Sequence, residues 1–166
     1  MVVVVIREPS MSSLLSESSI LPRTALCDLL DCRHPLILAG MGGVARSELV
    51  AAVSEAGGFG FLGMVREPLP LIRGEVAAVR ARTSRCFGVN LIPTATEARL
   101  LREQVDLCIE LAVPVVGLFW DVDRAVVARL RAAGITVVHQ VGSVADALLA
   151  QDAGAQHVEG AHHQSG

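Results

Sequence analysis

Gly40-Met41-Gly42-Gly43 follows directly on the apolar run Leu36-Ile37-Leu38-Ala39. A glycine-rich turn leaving a strand either lets the backbone approach a flat ligand closely or simply turns the chain. Asn90 lies near the end of a second apolar run, residues 86–92. A buried amide must find partners, so Asn90 either hydrogen-bonds a cofactor ring or ties down a neighbouring loop. Gln140 offers the same choice at the end of residues 136–141. His162 and His163 suit proton transfer, because imidazole titrates near neutrality; the alternative is a polar, frayed terminus. Glycines, amides and few charges suit a large, mostly neutral ring system held by backbone and amide contacts.

Other polar residues read more simply. Asp121 and Asp123 are placed to cap the next helix, and His139 to sit in the core or at a rim. His157, Glu159, His162 and His163 lack a ligand spacing, so no metal is expected. Cys27, Cys32, Cys86 and Cys108 form no C-x-x-C and read as reduced, mostly buried thiols of a cytoplasmic protein. The turn at Gly40 is no dinucleotide fingerprint, since its sixth position is Ala45.

The elements that must position these residues alternate. Strands are expected at 36–39, 59–62, 86–92, 113–120 and 136–141, and a sixth begins near 156–158. Helices are expected at 47–56, 70–82, 96–111 and 123–133, and from the Ser143 cap to 153, with Asp146 completing a weak capping box. Ala56-Gly57, Ala133-Gly134 and Ala153-Gly154 repeat one helix-ending signature. Five strand–helix units and a sixth strand point to a parallel sheet wrapped in helices. The closed form, a TIM (β/α)8 barrel, usually needs about 250 residues, so the sequence reads as an incomplete barrel. In that fold the working groups sit at the C-terminal ends of the strands. Residues 1–22 read as a loose, Ser-rich leader and 23–166 as one partial barrel domain.

Composition fits. The sequence has 166 residues, 52% of them hydrophobic and 19% charged, which suits strands buried on both faces. A net charge of −3 without a basic block argues against nucleic acid. No apolar run reaches the roughly 20 residues of a membrane span.

At these motifs the sequence resembles the nitronate monooxygenase family of FMN-dependent barrels. The resemblance rests on residues 35–45, residues 52–63, Phe87-Gly88-Val89-Asn90-Leu91, Ala133-Gly134-Ile135, Gln140-Val141-Gly142-Ser143-Val144, Ala147 and Ala153-Gly154-Ala155. It implies an FMN cofactor, with Gly40, Met41 and Gly42 lining the flavin face. It also implies that Asn90 contacts the flavin or its ribityl chain, with Gln140 a weaker contact. The family's histidine follows the sixth strand in a pattern like Ala-Gln-Gly-x-Glu-Ala-Gly-Gly-His. Here that stretch reads Val158-Glu159-Gly160-Ala161-His162-His163, and His162 or His163 would replace the base.

The activity implied is oxidation of alkyl nitronates by molecular oxygen. The flavin-dependent enoyl-thioester reductases are similar in this half and give the alternative. A third reading is a nonfunctional partial barrel: unpaired edges at strands one and six would invite self-association, and loss of the phosphate grip of strands seven and eight predicts weak FMN binding.

Overall fold

The computed structural model describes residues 23–160. Helix α1 (Ala25–Leu30) comes first. It precedes β1 (Ile37–Leu38), α2 (Ser47–Glu55), β2 (Phe59–Gly63), α3 (Leu69–Arg82) and β3 (Phe87–Leu91). A 3-10 turn (Pro93–Ala95) leads to α4 (Ala98–Glu110) and β4 (Val115–Phe119). Then come α5 (Arg124–Ala132), β5 (Thr136–Val141), α6 (Val144–Asp152) and β6 (His157–Gly160). Five strand–helix units and a sixth strand are therefore present, as the alternation of the sequence predicts.

All neighbouring strands are parallel, and their order is β1-β2-β3-β4-β5-β6. An order that never reverses places every right-handed crossover on the same face. The helices then cover one face only, and the sheet curls to protect the other. This is the incomplete (β/α)8 barrel expected from the sequence, not a doubly wound sheet.

Two apolar clusters mark the two faces. Leu62, Val89, Leu91, Val116, Leu118 and Val137 point outward to Ile72, Val76, Val105, Val127 and Leu130 of the helices. Phe59, Phe61, Val115 and Val138 point inward and meet Leu26, Cys27 and Leu30 of α1. Helix α1, which the sequence reading left out, thus closes the floor of the curl. Phe61 fills its middle: a Cβ on Gly117 would come within 3.0 Å of the Phe61 ring, and one on Gly88 would overlap it. Two glycines, on β3 and on β4 beyond it, make the room that one phenylalanine of β2 occupies.

The local signals hold. Gly57, Gly134 and Gly154 have φ of 95°, 79° and 100°, the left-handed conformation that closes a helix. Asp123 accepts from the N–H groups of Ala125 and Val126 and caps α5. Ser143 Oγ accepts from Asp146 N–H and donates to the Asp146 carboxylate, so the cap forms without the reciprocal half of a capping box. Helix α6 leaves Val144, Leu148 and Leu149 exposed. Among the described residues no helix is long and apolar enough to cross a membrane.

Candidate active site at the C-terminal ends of the strands

Loop 1, between β1 and α2, is held down by the strands beside it. Asn90 Nδ2 donates to the Gly40 carbonyl at 3.0 Å. Gly63 N–H donates to the Ala45 carbonyl at 3.0 Å, and Met64 N–H to the Asn90 carbonyl at 3.2 Å. The contacts are close enough to require glycine. A Cβ on Gly40 would overlap the Asn90 side chain, and one on Gly63 would overlap the Met41 carbonyl. By contrast, Cβ atoms on Gly42 and Gly43 would meet nothing within 4 Å, and Gly43 turns the chain with φ 74°.

Gly40, Met41, Gly42 and Asn90 are thus brought together. Asn90 is 2% exposed, and its Oδ1 has no hydrogen-bond partner. Its amide therefore does tie down the loop, with one acceptor left over. Gln140 is buried on β5, beside Phe119 of β4 in the ladder. Strand alternation puts it on the same inward face as Val138, two strands from Asn90. His139 falls on the opposite, helix-facing side, paired with Leu118, and is a core histidine. Burial lowers its pKa from the ordinary 6.5, which favours the uncharged ring. His162 and His163 lie outside the described residues. Among the described residues no group of three or more His, Cys, Asp or Glu could hold a metal ion.

The sequence reading missed the supports of this site. Arg46 of loop 1 meets Glu67 of the β2–α3 loop at 2.6 Å, both half-buried. Gln104, fully buried on α4, donates to the carbonyls of Met64 at 3.2 Å and Glu67 at 2.8 Å. A signal existed: Gln104 interrupts an apolar helical stripe, Leu101, Val105 and Cys108. Trp120, at the end of β4, is 60% exposed and has φ 66°, a strained conformation for a bulky residue.

A neutral, buried acceptor beside open glycine backbone can hold the N–H edge of a flat heterocycle and let its ring lie against the loop. The residues present fit the ring portion of a flavin by that test.

Comparison with known proteins agrees. Residues 23–161 match the nitronate monooxygenase family. A (3aS,4S,5R,7aS)-5-hydroxy-7a-methyl-1-oxo-octahydro-1H-indene-4-carboxyl-CoA dehydrogenase of Mycobacterium tuberculosis is 34% identical over 121 residues, covering 73% of this chain and 33% of that protein. FabK from Thermotoga maritima superimposes with a TM-score of 0.77 at 34% identity, over 82% of this chain and 43% of that one. A nitroalkane oxidase from Streptomyces ansochromogenes gives 0.71 at 30% identity, over 81% and 47%. The chain spans a third to a half of the length of these relatives. With the loop after its first strand, its inward-facing Asn90 and its unreversed strand order all accounted for, the chain belongs to the nitronate monooxygenase family.

Proposed function

We propose that this chain carries the ring-binding part of an FMN-dependent oxidoreductase that oxidises alkyl nitronates with molecular oxygen. The observation that supports this best is the Asn90 Oδ1, buried and without a partner at the edge of an open glycine loop. A buried acceptor left unmatched costs about 1–3 kcal/mol, and a ring N–H would relieve that cost. When bound, FMN supplies the acceptor for the substrate's electrons and their route to oxygen. The chain's own residues bind and orient. Asn90 would accept from the ring edge, Gly42 and Gly43 would leave room for the ring, and Gln140 would contribute a second amide from β5. Use of a neutral nitroalkane would further need a base to remove the α-proton, and His162 or His163 is the proposed group.

The family match, a probable nitronate monooxygenase of Staphylococcus aureus and the nitroalkane oxidase support a substrate of the nitronate and nitroalkane class. The likeness to FabK supports a second reading, a flavin-dependent enoyl-thioester reductase that takes electrons from a nicotinamide. Equilibrium dialysis with FMN, followed by anaerobic mixing with each reductant, separates them. Bleaching of the bound flavin by a propyl nitronate is the expected result. Bleaching by NADH or NADPH alone selects the reductase, and failure to retain FMN rejects both.

A further inference from the structure

Loop 1 turns on its own backbone bonds, with the Met41 carbonyl accepting from the N–H groups of Val44 and Ala45 at 3.2 and 2.9 Å, but its height above the strands is set from outside. Its outer fixed points lie on other elements, Asn90 on β3 and Gly63 and Met64 at the end of β2, while a Cβ on Gly42 or Gly43 would meet nothing within 4 Å. Met64 is a hub. It is fully buried, its N–H donates to the Asn90 carbonyl, and its carbonyl accepts from Gln104 Nε2. Its sulfur lies 3.9 Å from Arg46 Nη1. Glu67 closes the ring, with its carbonyl on Gln104 at 2.8 Å and its carboxylate on Arg46 at 2.6 Å.

We propose that Arg46, Glu67 and Gln104 are positioning residues that set the height of loop 1 against Asn90, and so tune the ring-binding site. The proposal rests on the flavin reading above for its functional part. Arg66, between Met64 and Glu67, has φ 57°, so the β2–α3 loop adopts a conformation a non-glycine residue seldom takes unaided. Gln104 holds the carbonyls on either side of that residue. A buried glutamine in an apolar stripe is costly unless it does such work, because its amide must be satisfied there. Gln104 uses its nitrogen twice on this loop, while its oxygen has no partner. The ion pair then passes the position of the β2–α3 loop to loop 1, through Arg46, the residue that also precedes α2.

The test uses the whole chain and four variants: Glu67→Gln, Gln104→Met, Gln104→Glu and the swapped pair Arg46→Glu with Glu67→Arg. Amide hydrogen exchange is read first. The Ala45-bound amide of Gly63, and those of Val44 and Ala45, are expected to exchange at least fivefold faster in Glu67→Gln and Gln104→Met, with β4 amides unchanged. FMN dissociation constants and the visible flavin band are read second. A weakening of at least fivefold with a shifted band is expected, and the swapped pair is expected to restore both in part. Gln104→Glu keeps the shape of the side chain but can donate one hydrogen bond at most, and only when protonated, so the loss of at least one of the two bonds separates hydrogen bonding from packing should Gln104→Met unfold. Unchanged loop exchange in folded Gln104→Glu and Glu67→Gln overturns the proposal whatever FMN does. Faster loop exchange with unaltered FMN affinity and spectrum overturns its functional part. Absence of FMN binding by the unsubstituted chain defeats the flavin reading and that functional part, while exchange still decides the brace.

Discussion

Asn90 and Gly40 stand fifty positions apart in sequence, yet the amide of one donates to the carbonyl of the other at 3.0 Å. That bond crosses from the third strand to the loop after the first, passing over β2. It fixes where the loop can lie, and it leaves Asn90 Oδ1 buried without a hydrogen-bond partner.

Asn90→Ala removes the donor and strands the Gly40 carbonyl. A loss of about 1–3 kcal/mol is expected. Urea unfolding checks it, with FMN retention measured in parallel. Stability unchanged within error would show that water replaces the amide without cost.

The three neighbouring glycines are expected to differ sharply. Gly40→Ala and Gly63→Ala put a Cβ into Asn90 and into the Met41 carbonyl, and overpacking of this kind costs about 1–3 kcal/mol. Gly42→Ala enters open space and is expected to stay within about 0.5 kcal/mol of the parent. On the flavin reading, Gly42→Ala nonetheless weakens FMN binding. Thermal melts and flavin titrations of all three variants give the comparison.

Burial lowers the pKa of both His139 and His157 from the ordinary 6.5. The unfolded chain then binds more protons than the folded one as pH falls through that value. Stability is therefore full above pH 6.5 and declines below it, down to the folded pKa values. His139→Gln is expected to flatten this part of the curve. Denaturant midpoints measured from pH 8 to 5 decide it, and a midpoint that rises on acidification contradicts the assignment.

Trp120 carries a left-handed backbone at φ 66° on a largely exposed side chain. Such strain costs on the order of 1–3 kcal/mol, offset in a glycine variant by the greater freedom of the unfolded chain. Trp120→Gly is expected to be more stable than Trp120→Ala by about 1 kcal/mol. Equal melting temperatures would show that the backbone relaxes without help.

Much of this was legible in the sequence because the repeated unit writes its own punctuation. The strand runs, the left-handed glycines at 57, 134 and 154 and the Asp123 cap are all local signals, and each falls where its spacing puts it. Asn90 was legible too, as a polar residue at the end of an apolar run. Helix α1 was missed because six residues carry too little period to announce a helix; it exists by virtue of the floor it covers. The Arg46–Glu67–Gln104 brace was missed for a different reason. Its members lie 21 and 37 positions from their partners, and no local pattern encodes such a meeting. Only Gln104, polar within an apolar stripe, left a trace.

The unreversed strand order bears on how such a chain is made. Each new strand docks on the one synthesised just before it, so every addition finds its template already in place. Growth from the ribosome can proceed as accretion, with short loops to close and no early segment waiting for a distant mate. Among the described residues β6 is the last strand laid on the sheet, and α6 beside it keeps Val144, Leu148 and Leu149 exposed.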